Sequence, residues 1–233
     1  MDNLLQLKDV KKVYGGRTIL NSINLTIGDN EIIGLLAPNG EGKSTLMKII
    51  SGVITNYTGE VLLRGEKTTY KSRNKIALMP DKGFIPSTWK VSDALKYYQK
   101  YFIGFRRDKA EDIIERFKIS RDSFMGELSL GNCEKVELAL TMGVDADIYL
   151  LDEPLAAVDI IAREEILKTI ITDFKEGSTV IISTHLIRDI EKVFDRVILL
   201  DRGNIVANEI VDDLRDKGKS VVDFYKEVYG PCL

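Results

Sequence analysis

Gly34-Leu35-Leu36-Ala37-Pro38-Asn39-Gly40-Glu41-Gly42-Lys43-Ser44-Thr45 joins an apolar, strand-like run to a helix-like one. Ile32, Ile33, Leu35 and Leu36 make the strand side, and Leu46-Met47-Lys48-Ile49-Ile50-Ser51 makes the helix side, stopped by Gly52. A strand, a glycine-rich turn and a helix start build a phosphate cradle. Backbone N–H groups at the helix N-terminus converge, and the helix dipole favours an anion there. Lys43 can reach the β- and γ-phosphates, and the Ser44 hydroxyl suits Mg2+. One position departs from the pattern, since Ala37 stands where glycine is usual. Ala37 precedes Pro38, which pushes it toward extended geometry with negative φ, and alanine adopts that without strain. The alternative is a glycine-rich surface turn with a stray Lys-Ser pair.

Working outward, the chain of 233 residues is 44% hydrophobic and 30% charged, enough to bury a substantial core as one domain or one domain with a small insert. Its net charge of −3 and pI near 5.4 argue against the basic footprint of a nucleic-acid binder. No apolar run approaches the roughly 18 residues that span a bilayer, and Met1-Asp2-Asn3 does not open a signal peptide. A membrane role is therefore expected to come through a partner. Cys133 and Cys232 make no metal spacing, and Pro231-Cys232-Leu233 is not a prenylation box. A reduced cytosolic compartment is the default.

Upstream of the loop, residues 4–8 and 23–27 alternate as short strands, with Tyr14-Gly15-Gly16 between them as a turn. Tyr14 reads equally as a platform for an adenine ring or as a core tyrosine. Downstream, 59–65 and 76–79 read as strands. From 88 to about 119 the period turns helical, with Ala94, Leu95, Tyr98, Tyr101 and Phe102 on one face and Ile113, Ile114 and Phe117 in a second helix. Trp89, Tyr97, Tyr98, Tyr101, Phe102 and Phe105 make this insert aromatic. Most of them are expected in its core, with a few lining a docking groove. Leu128-Ser129-Leu130-Gly131 then leads into a helix carrying Val136, Ala139 and Leu140. Ile148-Tyr149-Leu150-Leu151 is a strand running into Asp152-Glu153-Pro154. A helix is expected over about 160–174, a buried strand over Val180 to His185, a hairpin over 196–207 and a helical tail over 210–229.

Four loops follow strands, and each ends in a chemically competent residue. In a parallel α/β sheet such loops gather at one edge, so the phosphate loop, Asp81, Asp152-Glu153 and His185 are expected to converge. Asp152 offers a hard oxygen to Mg2+. Glu153 points differently and is suited to orient and deprotonate a water in line with a γ-phosphate. Solvated loop carboxylates are the plainer reading of both. The lone histidine, His185, is either a structural residue or a hydrogen-bond donor to the γ-phosphate, and its place after a buried strand favours the donor.

In this order the motifs resemble the nucleotide-binding subunit of ATP-binding cassette (ABC) transporters over nearly the whole chain. Ala37 to Thr45 is similar to the Walker A loop, Ile148 to Asp152 to Walker B, and Leu128-Ser129-Leu130-Gly131-Asn132 to the family signature. Ala157-Val158-Asp159 resembles the D-loop, His185 the switch histidine, Tyr14 the adenine-stacking aromatic, and Asp81 stands at the position of the Q-loop glutamine. The resemblance implies an α/β fold: a P-loop NTPase (RecA-like) core over 1–80 and 128–233, a small antiparallel β subdomain, and a helical subdomain over 81–127, all in one ABC ATPase domain of residues 1–233. It implies ATP and Mg2+ as ligands. Tyr14, Asn39, Gly40, Gly42, Lys43, Ser44, Thr45, Ser129, Gly131 and Asp159 would contact nucleotide. Ser44, Asp152 and Asp81 would hold the metal, and Glu153, His185 and Lys43 would act in catalysis. Ser129 and Gly131, at a helix N-terminus, would serve the ATP held by a second copy, so the active unit is a head-to-tail homodimer.

Three departures from the family pattern stand out: Ala37, Asp81 in place of a neutral amide, and the pair Leu130 and Asn132 in the signature. With Glu153 and His185 intact, an active ATPase is expected. The departures and the single short cassette resemble the ABC-2 exporters of drugs and antimicrobial peptides. That implies a separate transmembrane permease subunit, a place on the cytoplasmic face of the cell membrane, and docking through the helical insert. A soluble ABC ATPase of nucleic acid or ribosomes is the competing reading, disfavoured by the acidic balance. An ordinary P-loop kinase or GTPase would leave 128–132 and His185 without a role.

Overall fold

The computed structural model describes residues 3–69 and 72–230. Met1-Asp2 and Pro231-Cys232-Leu233, read above for targeting and lipidation, lie outside the described residues. Alternating side chains in the first segment fold into a hairpin. β1 (Leu5–Tyr14) and β2 (Arg17–Ile27) pair antiparallel, with Leu5 opposite Ile27 and Tyr14 opposite Arg17 around Gly15-Gly16. Both strands run longer than 4–8 and 23–27. Register shifts between Leu7 and Val13 interrupt the period of two, so the outer halves carry no clean alternation. β3 (Ile32–Leu36) leads into α1 (Lys43–Ile50) through the glycine-rich loop. β4 (Thr58–Leu63) and β5 (Glu66–Lys67) return to the hairpin and complete a four-stranded antiparallel sheet in the order β2-β1-β4-β5.

The second sheet adds β6 (Ile76–Met79), β7 (Ile148–Asp152), β8 (Thr179–Ser183), β9 (Arg196–Asp201) and β10 (Asn204–Ile210) to β3. Its order is β10-β9-β3-β8-β7-β6, parallel except for the β9–β10 hairpin. β3, β7 and β8 are buried along their whole length, which is why each reads as a continuous apolar run. Successive side chains point to opposite faces. Tyr149 and Leu151 enter one core, with Val180, Ile182 and the helices beyond, while Ile148 and Leu150 enter another, with α1 and the antiparallel sheet. The carboxyl ends of β3, β8, β7 and β6 are neighbours, so the loops that leave them lie side by side.

On the far face lie α2 (Val91–Tyr101), α3 (Arg107–Arg116), α4 (Leu130–Met142), α5 (Ile160–Asp173), α6 (Ile187–Ile190), α7 (Val211–Asp216) and α8 (Val221–Tyr229). Val91, Ala94, Leu95 and Tyr98 of α2 are buried, but Tyr101 and Phe102 are 58% and 38% exposed. The helix ends at Tyr101 and overhangs the core, and Phe102 covers itself by stacking on Tyr98 at 4.2 Å. Of the six aromatics expected mostly in a core, only Tyr98 is buried. Trp89 and Phe105 are half-buried, and Tyr97, Tyr101 and Phe102 face solvent. The tail is helical as expected and consists of α7 and α8. The chain turns at Gly218, and Ser220 with Asp223 opens α8 as a capping box. The strand expected to end at His185 ends at Ser183.

Candidate functional site

At the carboxyl edge of the parallel strands lies a cavity of about 350 Å3. Asn39, Gly40, Gly42, Lys43, Ser44 and Thr45 line its floor. Gly42 caps α1 with φ of +104°, a left-handed turn that aims the first free N–H groups of the helix into the cavity. A Cβ there would stand 3.0 Å from Leu20 and 3.1 Å from the Ile19 carbonyl, so glycine is required twice over. The first turn of α1 contains no acidic side chain to compete with an incoming anion. Ala37 is buried and keeps a negative φ, as its place before Pro38 predicts.

Lys43 is 7% exposed, and its ammonium donates to the carbonyls of Ala37 at 2.8 Å and Pro38 at 3.4 Å. The loop thus wraps its own lysine. Burial pulls the Lys43 pKa below its ordinary value, partly offset by the nearby Glu153, Asp152 and Glu41 carboxylates. The loop is held from outside as well. Glu41 accepts from the backbone N–H of Arg202 in the β9–β10 turn, and the Tyr229 hydroxyl of α8 donates to Leu200 at 2.9 Å and to Leu36 at 3.4 Å.

Asp152 ends β7 almost fully buried, and its Oδ1 accepts from the Ser183 hydroxyl on β8. Glu153 follows with φ of +54°, uncommon for a residue with a side chain. Its backbone N–H is held by the Ser183 carbonyl at 3.0 Å and the Ser183 hydroxyl at 3.1 Å. The unusual torsion turns the Glu153 side chain away from Asp152 and toward His185. There Oε2 lies 2.8 Å from Nδ1 and accepts from the His185 backbone N–H at 3.3 Å. Strain of this kind persists where the surroundings over-determine it.

Tyr14 reaches the cavity from the β1–β2 hairpin. It is 47% exposed, with the Lys12 ammonium 4.5 Å from its ring centre. Asp81 reaches it from the loop after β6, with Lys48 at 3.9 Å. His185, 54% exposed, does not line the cavity and meets it only through its 2.8 Å contact with Glu153. Three further sequence-predicted residues, Ser129, Gly131 and Asp159, do not line this cavity either. Ser129 caps α4, accepting from Asn132 at 3.3 Å, with Gly131 in the first turn, and Asp159 caps α5, accepting from Ala162 at 3.0 Å. Both caps present exposed apolar neighbours, Leu130 on α4 and Ile160 and Ile161 on α5, each about three-quarters exposed.

Ser44, Asp81 and Asp152 put a hydroxyl and two carboxylates around one cavity. Among the described residues no group of three or more His, Cys, Asp or Glu forms a metal cage. That donor set fits Mg2+, which takes one or two carboxylates and completes its shell with phosphate oxygens and water. Sequence reasoning passed over Ser183, Glu41 and Ile19. Ser183 carried a signal, a hydroxyl closing the apolar run Val180-Ile181-Ile182 beside the acidic strand end. Ile19 and Glu41 carried none, because only the fold brings the hairpin and the β9–β10 turn to the loop.

The model of the ABC transporter family matches residues 20–156. An uncharacterized ABC transporter ATP-binding protein of Methanocaldococcus jannaschii is 32% identical over 90% of this chain and 79% of its own length. The lipopolysaccharide export system ATP-binding protein of Haemophilus influenzae is 32% identical over 88% and 90%. The linearmycin resistance ATP-binding protein of Bacillus subtilis is 28% identical over 91% and 70%. Among solved structures, the ATP binding subunit of an ABC transporter superimposes with a TM-score of 0.86 over 97% of this chain and 99% of that one, at 23% identity.

Proposed function

The chain belongs to the ATP-binding proteins of ABC transporters, and we propose that it powers an exporter, closing as a homodimer on ATP and driving a separate membrane subunit. One observation carries the reading. A buried lysine, a helix N-terminus free of acidic side chains, and the carboxylates Asp152 and Glu153 surround one cavity at the edge of the parallel sheet.

The N–H groups at the start of α1 and the Lys43 ammonium take the β- and γ-phosphates, and Lys43 exchanges its carbonyl partners for phosphate oxygens. Asn39, Gly40, Gly42 and Thr45 complete the cradle, and Tyr14 stacks on the adenine ring. Ser44, Asp152 and Asp81 would hold Mg2+, which would neutralise phosphate charge. Glu153 takes a proton from a water whose oxygen forms the new bond to the γ-phosphorus. The bond from that phosphorus to the β–γ bridging oxygen breaks, and the electron pair leaves on ADP. His185 is exposed enough to swing from Glu153 to the γ-phosphate, which frees Oε2 for the water. Ser129 and Gly131, with Asp159, face the nucleotide of the second copy, and Leu130, Ile160 and Ile161 pack there out of water.

Residues 81–127 form the helical subdomain, and the rest forms the nucleotide core. The exposed Tyr97, Tyr101 and Phe102 offer an apolar face for the membrane subunit, which supports a proposed location at the cytoplasmic face of the membrane. Among the described residues no helix is long and apolar enough to cross a membrane. Drugs or amphipathic peptides are the proposed cargo, supported by the name of the linearmycin resistance relative. Purification from its native host tests this. A stable complex with a membrane protein, whose vesicles accumulate amphipathic peptide with ATP, is expected. Copurification with ribosomes or nucleic acid instead would overturn it.

A further inference from the structure

α4 packs Val136, Leu138, Ala139, Leu140 and Met142 into the core, yet Glu137 among them is only 3% exposed. A carboxylate so deep is costly unless hydrogen bonds satisfy it. No salt bridge to Glu137 is present among the described residues. Its Oε1 instead accepts from the backbone N–H of Phe84 at 2.9 Å and of Ile85 at 3.4 Å. Gly83 runs against it so closely that a Cβ there would stand 3.3 Å from Oε1. Residues 80–90 connect β6 to α2 without regular structure, so their backbone groups need partners from elsewhere. This is the loop that carries Asp81 to the phosphate cavity.

Three residues earlier on the same helix face, Glu134 accepts from the Ala157 N–H at 3.2 and 3.3 Å through its two oxygens. Ala157 belongs to the loop that follows Glu153. One face of α4 therefore grips both loops that bear the cavity's carboxylates. Both grips border a second cavity of about 350 Å3 that reaches Asp81, Asp152 and Glu153. An apolar side chain at 137 would suit the core better, which leaves the loop as the reason for the carboxylate.

We propose that Glu137 is a positioning residue for ATP turnover: through Phe84 and Ile85 it fixes the 80–90 loop and, paired with Glu134 on the Glu153 loop, makes α4 a common brace for the site. The proposal rests on the reading of the cavity as the ATP site. Two variants of the full chain separate reach from charge. Glu137→Gln keeps an acceptor oxygen at the same distance and loses the charge. Glu137→Asp keeps the charge and withdraws the acceptor by one methylene.

Turnover, ATP affinity, and hydrogen exchange at the Phe84 and Ile85 amides are measured on both. Glu137→Asp is expected to lose exchange protection and about tenfold in kcat, with ATP Kd within about twofold, because misplacement of a site costs rate before it costs binding. Glu137→Gln is expected to keep protection and to stay within about threefold of the parent kcat. Parental kcat in Glu137→Asp despite exposed amides would overturn the proposal. So would a Glu137→Gln loss equal to that of Glu137→Asp with protection intact. Failure of the ATP-site reading would show differently, as a parent chain without ATP affinity, and would remove the proposal with it.

Discussion

Glu153 and Asp152 are adjacent in sequence, yet their side chains face different partners because one backbone torsion separates them. The φ of +54° at Glu153, held by both oxygens of Ser183, turns its carboxylate toward His185 while Asp152 stays buried. Glu153→Gln keeps the shape and removes the proton acceptor. It should lower kcat by about 100-fold or more and leave ATP Kd within about threefold, read by steady-state turnover and equilibrium binding. Loss of affinity in step with turnover would contradict the role. Lys43→Ala should weaken ATP by about tenfold or more in the same binding assay, since it deletes charge-assisted contacts to phosphate. Unchanged affinity would refute the cradle. Residue types and order carried Lys43, Ser44, Asp152 and Glu153, because their chemistry is local to a strand end. Glu41 and Tyr229 steady the loop through contacts that span most of the chain, and no short stretch signals such a contact.

α4 is the element on which the two sides of the cavity meet. Burial pushes the Glu134 carboxyl from an ordinary 4.5 up to about 7, against the pull of its Ala157 hydrogen bond. The folded chain therefore binds more protons than the unfolded chain between those values. Stability from this group is full below pH 4.5 and is lost as pH rises through about 7. Glu134→Gln removes the titration. The melting temperature of the variant minus that of the parent should rise from about pH 4.5 to about pH 7 and level off above it. A difference that stays constant across the window would contradict the burial of this carboxyl. Helix periodicity marked α2 and α4, and buried runs marked β3, β7 and β8, because packing dictates those patterns. It could not mark where burial stops along α2. Tyr101 and Phe102 share the apolar face of Tyr98 by spacing, but the helix outruns the core beneath it. The tail is helical as expected, but its break at Gly218 went unmarked, since it lies inside a run whose period continues on both sides.

At the scale of the molecule, the parallel order of β9, β3, β8, β7 and β6 gathers the strand-end loops, and that convergence was legible from four strand ends alone. The antiparallel sheet adds Tyr14 to the same cavity. Ser129, Gly131 and Asp159 remain outside it, on helix caps edged by exposed Leu130, Ile160 and Ile161. The proposed completion of the site by the caps of a second copy would unite these facts. The most direct test is the sedimentation mass of Glu153→Gln with saturating ATP and Mg2+, beside the same chain carrying Ile160→Glu. The account predicts twice the monomer mass for Glu153→Gln, reversed by washing out nucleotide, and monomer mass once Ile160→Glu is added. A chain that binds ATP yet sediments as a monomer under every condition would contradict it.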